Sequence, residues 1–486
     1  MNALLVYPEW PDTYWSFKHA LPFEGKRSAY PPLGLMTISS QLPGHWKKRL
    51  VDTNVKRLTD SDLKWADVVM LSGMLVHRRE ILDILARCRA RGLRTVIGGP
   101  ITSSVEELPL AADHVVVGEA EEVMPILVAD LEAGTAKPFY KAHALPDLSK
   151  TPLPDLDLVN LKPYSAVGIQ YSRGCPFNCE FCDIIEIYGR RPRTKSPEQI
   201  VAELELLHDR KWRGSVFLVD DNFIGNKKKV KELLPVLGDW NTQHGRPFTF
   251  FTEASLNLAD DSELLEMMKA AGFIRVFLGI ETPVEASLKE AQKLQNTRRS
   301  LLDSVHHIQS FGIEVMAGFI VGFDNDPDDV FDRQVEALCA PGDVVVGLST
   351  SGKSRNVAAA LQRARELGAF TVALTGESGA RIARFADVCL RIPSSDVARI
   401  QEGHILSGIC CANGWSLPCV SIRRSRSLSW LVPSDCKPAG NHCSGRVRMA
   451  QDPSAGGRRC DARQIHLGRG GAHFARGAGS CRARCV

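Results

Sequence analysis

Between residues 166 and 323 short apolar runs recur, each followed by a helix-like stretch, and this repetition limits the segment to parallel strand–helix–strand architecture. AVGIQYS, GSVFLVDD, PFTFFTE, RVFLGIE and EVMAGFIVGF read as strands, while PEQIVAELELLHDR, KKKVKELLPVLGDW and DSELLEMMKAAG carry apolar residues at helical spacing. Units of this length build a parallel barrel or part of one, with chemistry at the carboxyl ends of the strands. Those ends carry Ser172 and Arg173, Asp220 and Asp221, Glu253, and Glu281.

The remaining sequence divides around this core. Residues 1–140 alternate ALLVYP, ADVVMLSG, RTVIGGP and DHVVVGE, read as buried strands, with helical patterns such as REILDILARCRARG, closed by Gly92. This predicts a doubly wound α/β domain with a ligand crevice beyond its strands. A Pro-rich stretch, 141–165, reads as a linker before the barrel at 166–336. Residues 337–409 form another α/β pattern, with GDVVVGLSTSGKS, VAAALQRARELG, FTVALTG and ADVCLRIP. Residues 410–486 show no sustained period and read as disordered or out of frame.

Composition narrows the function classes. An apolar fraction of 44% and a charged fraction of 24% suit a soluble globular protein. No apolar run approaches the ~18–20 residues of a membrane span, and MNALLVYPEW lacks signal-peptide features, so a cytoplasmic address is expected. The net charge of +4 conceals an asymmetry: residues 412–486 hold twelve Arg and one Lys against three Asp, which leaves the rest at −6. That acidic body gives no electrostatic reason to expect a nucleic-acid partner. Eight of the fourteen cysteines lie at or beyond Cys410 and three form one cluster; Cys88, Cys339 and Cys389 read as small apolar residues of a reduced protein.

The cluster is SRGCPFNCEFCD, with Cys175, Cys179 and Cys182 at intervals of three and two residues. Thiolates are the natural ligands of iron–sulfur clusters, and such spacing lets one loop converge on a single cubane with one iron left open. A zinc site and a purely structural loop are the alternatives. Zinc needs a fourth ligand, and the first His after the cluster, His208, sits in a predicted helix.

C-x3-C-x2-C with Phe181 before the last cysteine resembles the radical S-adenosylmethionine (SAM) superfamily. GIQYSRGCPFNCEFCDI, VDDNFIGNKKKVKELL, TEASLNLADDSELLEMMKAAGF, VFLGIETP and GFIVGFDND resemble its cobalamin-binding branch, in particular the subgroup that includes hopanoid methylases. The resemblance covers residues 1 to about 336. It implies a 4Fe-4S cluster on Cys175, Cys179 and Cys182 whose open iron chelates SAM, and cleavage of SAM to methionine and a 5′-deoxyadenosyl radical. It also implies Phe181 near the adenine, Asp220 or Asp221 at the SAM ammonium, and Glu253 and Glu281 lining the pocket. Strand-end capping is the other reading of these four acids.

YPPLGLMTISS, LSGM, VIGGP and VVVGEAEE resemble the cobalamin-binding domain of the same branch. The implied contacts are Ser72 to the nucleotide tail, close backbone approach at Gly98 and Gly99, and Gly118 and Glu119 at the next strand end. In VDTNVKR, Asn54 stands where an axial His would be, while His45 and His77 read as surface residues, so no protein imidazole on cobalt is expected. A degenerate domain that only shapes the substrate cleft is the alternative. The implied activity is C-methylation of an unactivated carbon in a small-molecule or lipid substrate, with flavodoxin or ferredoxin as electron donor.

GDVVVGLSTSGKSRNVAAALQRARELGAFTVALTGESG resembles the sugar isomerase (SIS) domain, especially phosphoheptose isomerases. That implies a sugar-phosphate cradle at Ser349, Thr350, Ser351 and Ser354, with Lys353 departing from the usual Asn. Gln401 and His404 persist, but Ile409 replaces a later His and the domain's first half is absent, so phosphate binding is expected without isomerase chemistry. VFDRQVEAL suits either family and reads as a junction. Three readings follow: a methyltransferase joined to an SIS fragment, a sugar-phosphate sensor with a structural cluster, and a nonfunctional chimera with an out-of-frame tail. Uniform read coverage through codons 325–345 and past 409 would contradict the chimera. A cysteine-rich metal or disulfide module is the other reading of the tail.

Overall fold

In a computed structural model describing residues 1–12, 16–18, 20–104, 111–379, 381–412, 428–431 and 449–450, the chain forms two units. These are Met1–Glu281 with Leu288–Ile320, and Thr282–Ser287 with Val321–Val486. The first opens with β1 (Asn2–Tyr7), α1 (Leu33–Gln41), β2 (Lys47–Asp52), α2 (Asp60–Trp65), β3 (Val68–Ser72), α3 (Arg78–Arg89), β4 (Arg94–Gly98), β5 (His114–Val117), α4 (Met124–Ala133) and β6 (Phe139–Lys141). All six strands are parallel, in the order β2-β1-β3-β4-β5-β6. Leu4, Leu5, Val68 and Val69 are fully buried because both faces of the sheet are covered, which is why these strands are continuously apolar. α3 buries Ile81, Ile84, Leu85 and Cys88, one helical stripe.

The strand order reverses between β1 and β3, which opens a crevice beyond their carboxyl ends. The predicted linker is not loose. Leu148 and Leu156 are buried, Asp155 accepts from Ser39 Oγ (2.9 Å) and Lys48 Nζ (2.9 Å), and Tyr164 OH donates to Asp52 (2.9 Å). Its apolar side chains give the Pro-rich stretch a packed face.

The first unit continues with β7 (Val167–Ile169), β8 (Ser172–Arg173), α5 (Ile184–Tyr188), β9 (Arg193–Thr194), α6 (Pro197–Asp209), β10 (Gly214–Leu218), α7 (Lys227–Gln243), β11 (Phe248–Ala254), α8 (Ser262–Ala271) and β12 (Phe273–Glu281). α9 (Glu285–Glu290), α10 (Leu301–Ser310) and β13 (Glu314–Phe319) complete it. The sheet is parallel, β13-β12-β11-β10-β7, an open half-barrel. α6 starts at a capping box: Ser196 accepts from Gln199 N–H, Gln199 reaches back to Ser196 N–H, and Pro197 takes the first turn. Trp240 of α7 stacks on Phe248, so residues 248, 250 and 252 face the helices while 249, 251 and 253 face the lumen.

Residues 344–349 are not part of the half-barrel sheet. In the second unit α11 (Val330–Leu338) precedes β14 (Val344–Ser349), followed by α12 (Arg355–Glu366), β15 (Phe370–Thr375), β16 (Val388–Arg391) and α13 (Val397–Ala412). β14 heads a separate sheet, β14-β15-β16-β17-β18, because its apolar face packs on α12 through Leu361 and Ala358. β17 (Leu428–Leu431), β18 (Met449–Ala450) and the last turn of α13 lie in the segment to which the sequence assigns no fold; residues 413–427, 432–448 and 451–486 fall outside the described residues. Among the described residues no helix is long and apolar enough to cross a membrane.

Candidate cluster and cofactor site

The approach to Cys175 is held by two acids from the end of β10. Asp220, buried, accepts from Tyr171 N–H (2.8 Å), Ser172 N–H (2.8 Å) and Ser172 Oγ (2.6 Å), and Asp221 accepts from Gly174 N–H (2.9 Å). Burial pushes Asp220 up to about 7 against those three donors. Gly174 has φ +93°, and a Cβ there would stand 2.7 Å from Gly189 O, so the turn admits only glycine. The acids expected at a SAM ammonium thus grip the backbone that leads into the cysteine loop.

Cys175, Cys179 and Cys182 are all partly accessible. Burial raises Cys175 and Cys182, opposed by the N–H groups of Phe177 and Ile184 and, at Cys175, by Asn222 Nδ2 (3.7 Å). Gln295 Nε2 donates to Cys179 Sγ (3.6 Å). Donors aimed at sulfur fit thiolate ligands. The three sulfurs do not all lie within 4.8 Å of one another, whereas Zn–S bonds of ~2.3 Å hold sulfurs about 3.8 Å apart. The loop therefore fits an iron–sulfur cluster better than a single zinc ion.

Phe181 is 45% exposed, with Lys293 Nζ 5.6 Å from its ring centroid. Glu281, at φ +67°, turns its carboxylate onto Lys293 Nζ (2.5 Å), and a Cβ at Gly279 would collide with both groups. Glu253 projects into the lumen, where surrounding protein and the Asp221 charge push it up to about 7. Phe217 and Phe251 stack there (4.7 Å) beside Tyr30, whose hydroxyl burial and Glu253 push up to about 12. Tyr30, Lys293 and Gln295 escape sequence reasoning.

The crevice of the first sheet gathers Ser72, Gly98, Gly99 and Gly118 at successive strand ends. Gly99 has φ +85°, and its missing Cβ would lie 2.4 Å from Ser72 Oγ; Gly98 would accept one at ordinary contact distance. Gly99→Ala is therefore expected to cost about 1–3 kcal/mol in denaturant unfolding, and Gly98→Ala far less. Met74, Leu75 and Val76, exposed after β3, add an apolar rim to the crevice. Asn54 is engaged otherwise: it accepts from Trp10 N–H (2.9 Å) and donates to Pro8 O (3.1 Å) and Asp52 (2.7 Å). Glu119 is committed too, pairing with Arg193 (2.6 Å) and Arg173 (2.5 Å).

His45 is a surface residue paired with Glu132 (2.8 Å). His77, expected at the surface, is buried, because Tyr7 and Trp10 enclose its ring. Its Nδ1 accepts from Met74 N–H (3.0 Å), so Nε2 carries the proton, and it sits buried without a hydrogen-bond partner. Neither nitrogen offers a free lone pair to cobalt. Burial lowers His77 to about 4, so the unfolded chain binds the proton more readily between about pH 4 and 6.5. Stability is thus expected to fall by roughly 3 kcal/mol on acidification through that window. Urea titrations at pH 7 and pH 4.5 test this, and His77→Gln should flatten the dependence.

In the second unit Ser349 ends β14 and Thr350–Ser354 turn into the N-terminus of α12, with Gly352 at φ +64°. Ser351 Oγ accepts from Lys353 N–H (3.2 Å), and Ser354 Oγ donates to Asn356 Oδ1 (2.6 Å). Gln401 and His404 lie on α13; His404 is buried, which lowers its pKa.

Comparisons with known proteins define the class. Residues 169–338 match the radical SAM superfamily, residues 27–128 the B12 binding domain and residues 311–405 the SIS domain, the first and last overlapping at 311–338. Residues 169–338 thus resemble the radical SAM superfamily, preceded by a segment similar to the B12 binding domain and followed by one similar to the SIS domain.

Among relatives, an uncharacterized methyltransferase of Synechocystis sp. is 47% identical over 69% of this chain and 63% of its own length. The hopanoid C-2 methylase of Rhodopseudomonas palustris is 39% identical over 67% of this chain and 63% of its own. The chain spans less than two thirds of both. A phosphoheptose isomerase of Geobacter sp. is 56% identical over 18% of this chain and 44% of its own length. The fold is shared with the cobalamin-dependent radical enzyme OxsB, with a TM-score of 0.54 at 20% identity over 70% of this chain and 52% of that one. It is also shared with the methyltransferase TsrM of Kitasatospora setae, at 0.55 and 16% over 69% and 70%.

Proposed function

We propose that the first unit is a cobalamin-dependent radical SAM C-methyltransferase. The observation that carries this is the three-cysteine loop, fixed at its entry by Asp220 and Asp221 at the carboxyl end of the half-barrel. When bound, the cluster would supply the electron that cleaves SAM to methionine and a 5′-deoxyadenosyl radical, and cobalamin the methyl group for an unactivated carbon. Cys175, Cys179 and Cys182 hold the cluster, and Phe181 offers the adenine a flat face. Asp220 and Asp221 set the loop's backbone, and Asp221 and Glu253 are the acids that would meet the SAM ammonium. Ser72, Gly98, Gly99 and Gly118 line the cobalamin crevice.

Tyr30, Phe217 and Phe251 favour an apolar substrate and shield it from water. A lipid suits that lining, as does the likeness to a hopanoid methylase. A small electron-transfer protein of the flavodoxin or ferredoxin type would reduce the cluster in the cytoplasm. The test is anaerobic reconstitution with iron and sulfide, then reductant and SAM with and without cobalamin, scored by 5′-deoxyadenosine. Absence of that product from a chain that carries its iron would sink the proposal.

A second reading concerns residues 349–354. Backbone N–H groups and hydroxyls at the start of the twelve-residue α12 suit a phosphate, the likeness to phosphoheptose isomerases favours a sugar phosphate, and the absent first half argues against isomerisation. Calorimetry with a heptose or hexose phosphate should detect binding that Ser351→Ala weakens about tenfold, a loss of about 1.4 kcal/mol. Equal affinity in both would remove the site.

A further inference from the structure

The segment Ala291–Asn296 lies along the cysteine loop. Glu180 N–H donates to Ala291 O (3.0 Å), Asn178 Nδ2 to Gln292 Oε1 (2.5 Å), and Gln295 Nε2 to Cys179 Sγ (3.6 Å), while Lys293 stands over Phe181. The segment is anchored in turn to the end of β12. Lys293 pairs with Glu281, and Asn296 Nδ2 donates to Gly279 O (2.9 Å) and Ile280 O (3.0 Å). Gln295 itself is 5% exposed, so its amide is held where water competes little for the sulfur. Asn222 stands similarly at Cys175 but also bonds Ser255, which ties it to the fold.

We propose that Gln295 tunes the electron affinity of the cluster, an inference that rests on reading the cysteine loop as an iron–sulfur site. An N–H aimed at a ligating sulfur stabilises negative charge, and the reduced cluster carries one more electron than the oxidised one. The donor therefore favours reduction and raises the potential. Gln295 is a positioning residue in this sense: it acts on the cluster through Cys179 and touches no substrate. The surrounding clamp fixes its distance, so the effect is built into the fold.

The test uses the full chain, reconstituted anaerobically, as wild type, Gln295→Met and Gln295→Leu. Iron and sulfide content are measured first, and the midpoint potential is then followed by visible absorbance and electron paramagnetic resonance. Both variants should keep the wild-type iron content and titrate at a more negative potential. Poised at the wild-type midpoint, their reduced fraction should fall from one half to about one quarter or less. Should Gln295→Leu fail to fold, Gln295→Met, which conserves volume without the donor, carries the comparison. An unchanged or raised midpoint overturns the inference. A wild-type chain that holds no iron overturns the reading of the loop instead, so the two failures are distinct.

Discussion

Cys179→Ala is expected to leave the reconstituted chain without its cluster and to abolish 5′-deoxyadenosine formation. The loss should exceed the ~10–100-fold that removal of an outer partner of a metal site costs, because a ligand itself is gone. The fold should survive. Cys179 is partly accessible and lies in a loop braced by other residues, among them Glu180 and Cys182, so its unfolding free energy should stay within about 0.5 kcal/mol of wild type. Iron analysis and circular dichroism on the same preparation separate the two effects. A variant that retains iron and activity would return the loop to a structural role.

Glu119→Ala should destabilise the first unit by about 3–5 kcal/mol. The Glu119 side chain is 3% exposed and faces two guanidinium groups, Arg173 and Arg193, which are themselves largely buried. Removing it leaves two cations in poor solvent with Glu121 (2.7 Å), the Gln170 amide oxygen (2.7 Å) and the carbonyls of Pro146 and Tyr188 to compensate. The damage reaches the site, because Arg173 lies two residues before Cys175. Denaturant unfolding measures the cost, and a change under about 1 kcal/mol would mean that water reaches the network.

The sequence made the chemistry legible where residue type and spacing are sufficient. Cys175, Cys179 and Cys182 need no tertiary knowledge to be grouped, and the central strands announced themselves because both faces of each are apolar. β2 and β6 gave no such signal. β2 begins with Lys47, Lys48 and Arg49 and β6 has three residues, the charged and short character of sheet edges. Partners were the other blind spot. Asp220 reads as a partner of the SAM ammonium or a strand-end cap, whereas its observed partners are N–H groups 48 and 49 residues away, which only the folded chain brings within reach. His77 looks polar in isolation, and its burial depends on Tyr7 and Trp10. Gln295 sits in an unremarkable KLQN stretch, where a neutral amide has no spacing to betray it.

Among the described residues the half-barrel sheet has no strand beyond β13. Among the described residues that strand pairs with β12 alone, so one row of its N–H and C=O groups is left without a neighbouring strand, beside the exposed Met316. Glu314, paired with Arg275, is the charge that guards it. Such an edge is a template for another chain, so concentrated preparations should self-associate through β13, and a lysine in place of Met316 should keep them dispersed.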